Sequence, residues 1–438
     1  MSSTLLKNGC VLTLGPRTQN HPRADVLIAD GRIAEIGTGL RGRGARVVDA
    51  SDAIVMPGFV NTHRHAWRSL FRNLGDGAGG ALAGPAVHGP HHGPDDIYAA
   101  TLIGLLGGLV SGTTTVVDWY DAADTDGHVE AAVQAHADVG LRTVFVHSSA
   151  AWAVEARTVS PRLRTLVDRT HDTTPLGSVA YGSPDPENAP GGVGDAWAQA
   201  RALGARIHAH VGRAVEAGRT IASMAGDGLL GQDVTLVHCS HLGRADLDAI
   251  AEHGVRVSLT PAAEMAGGLG PPPVQAFIDR GIRPGLGVGD EQLAPGDIFA
   301  QMRAVNSIQH ATMFDLKLAG KAGLPTLLTT RDVIKYATFD GAAAVGLGDM
   351  CGSLEVGKAA DVIVLRTDRP NIAPVNDPIG AVVWGMDTSN VDWVFVAGVP
   401  LLVEGRLTAD GDRARTLANV ARDRVAAAVS GTAERREV

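Results

Sequence analysis

The segment Pro57–His65, which reads PGFVNTHRH, carries more structural information than any other part of the chain. In it a short apolar run leads into two histidines that are separated by one residue. Residues two apart in a β-strand point to the same side, so His63 and His65 can present two imidazoles to one ion at the strand end. The alternative interpretation is a polar end to an ordinary strand, and the pattern alone does not decide between the two.

Three further runs favour the metal interpretation. His210 and His238 each end a short apolar run, and Asp290 follows another. Histidine together with a carboxylate is the ligand set expected for a catalytic Zn²⁺ or Fe²⁺ ion that keeps one position open for water. The sequence therefore predicts a histidine-rich metal site.

The middle of the chain alternates short apolar runs with helical stretches. The clearest strand candidates lie at 116–118, 144–147, 206–210, 235–238, 255–258 and 284–288. This alternation indicates a parallel sheet, and the number of repeats suits an eight-stranded barrel better than an open sheet. The polar residues fall at the carboxyl ends of the runs, where barrels build their active sites. We predict an α/β fold with a (β/α)₈ catalytic barrel over residues 58–350.

Both ends of the chain read as short strands joined by turns. An Asp-Gly turn at Asp30 separates two strand-like runs, which is a strong hairpin signal, and residues 360–365 and 391–398 have the same character. The sequence therefore predicts a small β-sandwich domain built from residues 1–57 and 351–438. A terminal helix from about Thr408 onward is expected to complete the second part.

Composition limits the function classes. The chain has 438 residues and a net charge of −9, which argues against binding of nucleic acid through a basic surface. Its three cysteines are scattered, which excludes a disulfide framework and fits a reducing compartment. No signal peptide pattern or long apolar run is present in the sequence. We expect a cytoplasmic protein whose partner is a small molecule, with neither nucleic acid nor membrane binding.

Taken together, these motifs resemble the amidohydrolase superfamily, within it the cytosine-deaminase and triazine-hydrolase-like branch. The resemblance covers nearly the whole chain, and it also rests on GTTT at 112–115, HAH at 208–210, HCSH at 238–241 and GSLEVGKAAD at 352–361. It implies a metal-dependent hydrolase and, by analogy, a homodimer.

Position by position, the resemblance implies that His63, His65 and His210 are metal ligands. It also implies that His238 lies beside the metal-bound water, where it either orients the water or joins the coordination sphere. Binuclear relatives bridge two metals with a carboxylated lysine, but no lysine occurs here between Lys7 and Lys317. The expected cofactor is therefore one divalent ion, Zn²⁺ in the first place and Fe²⁺ as the other choice.

Two positions depart from the pattern of these relatives. Their deaminases place a proton-shuttling glutamate three residues after the ligand histidine, where this chain has Arg213, and arginine cannot act as a general acid or base near neutral pH. Either Glu216 substitutes for it or the reaction is not deamination. The usual ligand aspartate position is Gly289, followed by Asp290. Asp290 is our candidate for both ligand and proton acceptor, although a one-residue offset reverses a strand side chain unless the strand end bulges.

Several other residues are candidates for substrate binding because they follow barrel strands: Trp67, Arg68, Arg213, His241 and Glu264. Residues 75–94 are rich in Gly, Ala, Pro and His and are expected to form a flexible loop with solvated histidines, potentially a lid.

We therefore predict a metal-dependent enzyme that hydrolyses a C–N bond in a small heterocyclic or amide substrate, either a deaminase or a cyclic amidohydrolase. Arg213 and Gly289 motivate an alternative, an enzyme of the same fold with redirected non-hydrolytic chemistry such as elimination, isomerisation or cyclisation, and without a metal requirement. A catalytically silent binding protein is a third hypothesis, which the retained barrel histidines disfavour.

Overall fold

The computed structural model describes residues 3–16, 18–74, 84–152, 159–173, 177–183, 185–189, 192–214 and 218–434. The described strands in chain order are β1 (Thr4–Val11), β2 (His21–Ala29), β3 (Arg32–Gly37), β4 (Arg46–Asp49), β5 (Ala53–Pro57), β6 (Phe59–Arg64), β7 (Thr113–Tyr120), β8 (Arg142–Ser148), β9 (Gly177–Ser183), β10 (Arg206–Val211), β11 (Val234–His238), β12 (Arg256–Leu259), β13 (Gly285–Leu286), β14 (Val362–Arg366), β15 (Val391–Val396), β16 (Val399–Val403) and β17 (Arg406–Leu407).

Strands β6 to β13 form a parallel sheet in which each strand pairs with its neighbour in sequence. The sheet closes between its first and last members, because the Gly289 N–H donates to the His63 carbonyl at 2.8 Å and the His65 N–H donates to the Gly289 carbonyl at 3.1 Å. This arrangement confirms the predicted barrel. Strand β9 was not among the predicted strands, since GSVAYGS offers few large apolar side chains to mark it.

The two ends of the chain build one nine-stranded sheet, in the order β17-β16-β15-β14-β5-β1-β2-β3 with β4 paired to β1. This sheet meets the barrel at a buried ion pair. The Arg142 guanidinium, at the start of β8, donates to both carboxylate oxygens of Asp361 at 2.6 and 3.1 Å. A paired guanidinium and carboxylate of this kind fix the relative position of the two parts.

The described α-helices in chain order are α1 (Pro85–His88), α2 (Pro94–Val110), α3 (Asp126–Val139), α4 (Pro161–Thr173), α5 (Gly194–Ala202), α6 (Ile221–Gly226), α7 (Arg244–Glu252), α8 (Pro261–Ala266), α9 (Val274–Ile278), α10 (Ile298–Leu318), α11 (Thr330–Tyr336), α12 (Phe339–Ala344), α13 (Pro378–Gly380) and α14 (Gly411–Glu434). A 3₁₀ helix, Ala66–Phe71, follows β6 directly. None of the described helices has the length and apolar character that crossing a membrane requires.

Part of the predicted flexible loop is ordered against the barrel. Residues 75–83 lie outside the described residues, but α1 and the following turn bury His88 and His92, which are 0% and 5% exposed. The sequence predicts solvated histidines here, which is wrong for these two. The reason is an aromatic surface on the 3₁₀ helix: the His88 ring centroid lies 4.6 Å from that of Phe71 and 5.6 Å from that of Trp67.

Burial keeps these two imidazoles neutral. It lowers the pKa of His88 from 6.5 to about 3 and the pKa of His92 to about 4. Neither ring nitrogen of His88 has a hydrogen-bond partner among the described residues. When burial depresses the pKa of a histidine, the folded protein is most stable above the pKa that the histidine has in the unfolded chain. The free energy of unfolding then falls as the pH drops from that value toward the folded-state pKa.

We expect His88→Phe to stabilise the protein at pH 7 by roughly 1–2 kcal/mol, because an aromatic ring of similar shape removes two unpaired polar atoms from the interior. The wild-type free energy of unfolding should fall as the pH drops from 6.5 toward 4, and the variant should show a shallower fall. Urea unfolding at several pH values measures both effects. His91→Phe, in the same turn but partly exposed, is the control. Destabilisation of the His88 variant at pH 7 would contradict this account.

Candidate active site

A cavity of about 790 Å³ opens at the carboxyl ends of the barrel strands. Its volume lies within the range of roughly 300–1,000 Å³ that is usual for pockets that enclose small molecules. Four histidines line it, one pair from the end of β6 and one each from β10 and β11: His63, His65, His210 and His238.

The four imidazoles converge. His63 Nε2 and His210 Nε2 are 3.2 Å apart, and one nitrogen from each of His63, His210 and His238 falls within 4.8 Å of the others. The His65 ring lies 4.9 Å from the His63 ring, measured between centroids, but is not a member of that tightest set. Trp119 stacks on His210 at 4.0 Å and holds its plane.

The backbone at the end of β11 turns His238 toward the cavity. His238 and Cys239 have φ values of 76° and 61°, in the left-handed region that residues other than glycine rarely adopt. Each such residue costs on the order of 1–3 kcal/mol, and surrounding structure must hold it in place. The Cys239 N–H donates to the Val211 carbonyl at 3.0 Å, which ties this turn to the end of β10.

Three of these histidines are held in the neutral form. Burial, followed by the proximity of other cationic or imidazole groups, lowers the pKa of His63, His65 and His210. Neutral imidazole is the form that donates a lone pair to a metal, so the cluster is suited to bind a cation without first losing protons.

A carboxylate that was not predicted from the sequence orients His65. Asp121, directly after β7, lies 3.1 Å from His65 Nδ1 and accepts hydrogen bonds from Trp67 Nε1 at 2.7 Å and Arg68 Nη2 at 2.5 Å. Burial alone would raise the pKa of Asp121, but Arg68 and His65 outweigh it and hold the pKa below its usual range. The only sequence signal was its place after a strand, which it shares with many aspartates.

Arg68 also binds the predicted ligand Asp290. Its Nη1 donates to Asp290 Oδ2 at 3.1 Å, and Asp290 lines the cavity without belonging to the tightest set of potential ligand atoms. The strand end does bend, because Gly289 has a φ of 72° and a Cβ built there would lie 3.2 Å from Thr260. This bend is what lets Asp290 face the cavity in spite of the offset.

A second carboxylate supports His238. Glu264 is 0% exposed, and its Oε1 lies 3.2 Å from His238 Nδ1 and accepts the Thr260 N–H at 2.8 Å. Its Oε2 has no hydrogen-bond partner among the described residues. Glu264 was expected to bind substrate, and the structure places it both in the cavity lining and directly behind His238.

The remaining predicted residues are spread around this centre. Arg213 is exposed on the cavity wall and has no hydrogen bond or ion pair within the described part of the chain. His241 is exposed and Trp67 fully buried, and neither lines the cavity. Glu216 lies outside the described residues.

Comparison with known proteins places this geometry in a family. The model of the amidohydrolase family matches residues 54–401. A 5'-deoxyadenosine deaminase of Methanosarcina mazei is 30% identical over 93% of this chain and 94% of its own. A 5-methylthioadenosine/S-adenosylhomocysteine deaminase of Desulforudis audaxviator is 28% identical over 93% of this chain and 95% of its own.

Solved structures show the same fold. An adenosine deaminase from Xanthomonas campestris with bound zinc superimposes with a TM-score of 0.83 at 23% identity, over 97% of this chain and 99% of the other. A mutant atrazine chlorohydrolase from Arthrobacter aurescens, in complex with zinc and atraton, gives a TM-score of 0.84 at 22% identity, over 96% and 100%.

Proposed function

Because this chain belongs to the amidohydrolase family, we propose that it is a zinc-dependent deaminase of an amino-substituted heterocycle, in the first place the adenine ring of a 5'-modified nucleoside. The observation that carries the proposal is the convergence of four imidazoles at the barrel mouth, with His63 Nε2 and His210 Nε2 3.2 Å apart. The substrate class follows the deaminases that align with nearly the whole chain. None of the relatives reported above is named for an elimination, isomerisation or cyclisation.

The side chains present fit one divalent cation. Among the described residues that line the cavity, four carry a carboxylate (Asp121, Asp185, Glu264, Asp290) and two carry a guanidinium (Arg68, Arg213). With neutral imidazoles this leaves two negative charges, which one Zn²⁺ ion balances. We assign His63, His65 and His210 as its ligands, with His238 facing the open side.

When bound, zinc lowers the pKa of water toward about 7 and polarises the substrate. The protein supplies the remaining elements. We assign His238 as the proton acceptor at Nε2, because Glu264 Oε1 lies 3.2 Å from Nδ1 and favours the tautomer that carries its proton on Nδ1. The buried Glu264 stabilises the imidazolium that results.

Arg213 occupies the usual shuttle position but has a different task. A guanidinium donates hydrogen bonds and keeps its proton, so it can hold an acceptor atom of the substrate at the cavity wall. Asp290, whose side chain is 25% exposed and anchored by Arg68, can accept a hydrogen bond from the departing amine. Proton transfer is thus assigned to the His238–Glu264 pair.

A cytoplasmic homodimer completes the proposal. The three cysteines, Cys10, Cys239 and Cys351, are free thiols, which supports a reducing compartment. The dimer rests on family resemblance.

The metal assignment predicts zinc content. We expect about one zinc per chain in the wild type, and His63→Ala or His210→Ala should weaken zinc affinity by at least ~100-fold because each removes a ligand. Metal analysis after dialysis against a competing chelator measures this. His253→Ala, on the carboxyl end of α7, is the matched control and should retain zinc. Full zinc retention by both ligand variants would contradict the assignment.

The deaminase assignment predicts ammonia release from 5'-deoxyadenosine or 5'-methylthioadenosine by the zinc-loaded protein. Glu264→Gln keeps the shape of the side chain but removes its charge, so we expect kcat to fall by about 10²–10⁴ because His238 loses its support as a proton acceptor. Zinc content should stay the same. Ammonia assays over a pH series measure the loss of kcat, and metal analysis in parallel shows whether zinc has been lost as well.

Glu252→Gln, an exposed carboxylate on α7, is the control and should keep the wild-type kcat. A Glu264→Gln variant with wild-type kcat would show that the proton travels elsewhere. Absence of ammonia release from every aminated purine and pyrimidine tested would overturn the deaminase assignment itself.

A further inference from the structure

A second cavity lies on the outside of the barrel, between the 3₁₀ helix Ala66–Phe71 and α14. Its volume is about 540 Å³, and it shares no described lining residue with the active-site cavity. We refer to it as the arginine groove, after Arg72, Arg415 and Arg422.

The charge of the arginine groove is opposite to that of the protein. The whole chain has 47 acidic and 38 basic residues and a net charge of −9. The described lining of the groove nevertheless contains three arginines and no carboxylate, with Asn73 and Asn419 as further hydrogen-bond donors. A local excess of guanidinium groups in an acidic protein indicates a site for an anion.

Arg72 shares its nearest carboxylate with another guanidinium. Arg64 Nη2 binds Glu291 Oε2 at 2.6 Å, whereas Arg72 Nη2 is 3.9 Å from the same oxygen and forms no hydrogen bond among the described residues. Burial lowers the pKa of Arg72, the charge of Glu291 opposes this only in part, and the charge of Arg64 lowers the pKa further. Two guanidiniums thus compete for one carboxylate, and the positive charge of Arg72 is only partly balanced.

The other two arginines are available for a ligand. Arg415 and Arg422 are seven residues apart on α14, which puts them on one face of the helix. Within the described part of the chain each pairs with an aspartate of the same helix, Arg415 with Asp412 and Arg422 with Asp423, and these two carboxylates are 87% and 70% exposed. Such surface pairs contribute little and are easily exchanged for a better anion.

Apart from the arginines, Ser69 and the two asparagines, the described lining of the groove is apolar. Leu70, Phe71, Leu74, Ile103 and two alanines of α14 form its other walls. Planar guanidiniums bind phosphate oxygens in pairs, and the apolar walls suit a hydrocarbon or aromatic group attached to the phosphate. We propose that the arginine groove binds an organic phosphate monoester, through Arg72, Arg415 and Arg422, at a site separate from the catalytic cavity.

Phenyl phosphate is a suitable probe for the full-length, zinc-loaded protein. Isothermal titration should show saturable binding, tighter than that of inorganic phosphate and absent for phenol. The double variant Arg415→Ala/Arg422→Ala should weaken phenyl phosphate binding by 10-fold or more, because it removes two of the three guanidiniums and breaks only exposed ion pairs with Asp412 and Asp423. The control Arg164→Ala/Arg244→Ala removes the same charge from exposed sites on α4 and α7 and should bind as the wild type does.

Equal loss of affinity in both double variants would mean a nonspecific charge effect and would overturn the proposal, as would failure to saturate. The same arginines can also bind another anion, a carboxylate side chain from a second copy of the chain. If the wild type is a dimer that the groove variant dissociates while phenyl phosphate does not bind, the groove is a subunit interface and the phosphate proposal is wrong. Failure of the deaminase proposal would not affect these measurements.

Discussion

Closure of the barrel at Gly289 is the constraint on which the site depends. The Gly289 N–H and carbonyl pair with the backbones of His63 and His65, and this joins the last strand to the first. Histidines that are separated by about 150 residues in the chain, such as His63 and His210, meet only because all eight strands complete one ring. The same backbone contact therefore closes the barrel and fixes the backbone of two of the four histidines, His63 and His65.

This contact also explains why no carboxylate occupies position 289. The left-handed φ of 72° disfavours any side chain, and a Cβ would lie 3.2 Å from Thr260. The carboxylate is one residue later, where Arg68 binds it together with Asp121. Arg68 thus joins the ends of two strands through one guanidinium, and the position of His65 depends on it through Asp121.

The sequence was sufficient to predict the barrel and the four histidines, because strand periodicity and strand-end placement are local properties. It did not predict Asp121, which differs from other aspartates only by its partners, nor β9, which lacks large apolar residues. The burial of His88 was also missed. The rings that cover it, Trp67 and Phe71, belong to a 3₁₀ helix that no sequence motif marks. Partners across the fold are set by tertiary packing, which local patterns do not record.

Arg213 stands where related deaminases have a proton-shuttling glutamate, and this limits which group can carry the proton in the proposed reaction. Arg213 cannot accept a proton, so the proposed reaction needs a basic group elsewhere in the cavity. Of the described cavity residues, His238 is the imidazole with a wholly buried carboxylate on its far nitrogen, and that carboxylate, Glu264, is also supported by the Thr260 N–H. A buried carboxylate is costly unless its charge is compensated, and in the proposed reaction the imidazolium formed at His238 would provide that compensation. Under the proposed function the two walls therefore have separate roles: Arg213 holds the substrate on one side, and the His238–Glu264 pair takes the proton of water on the other.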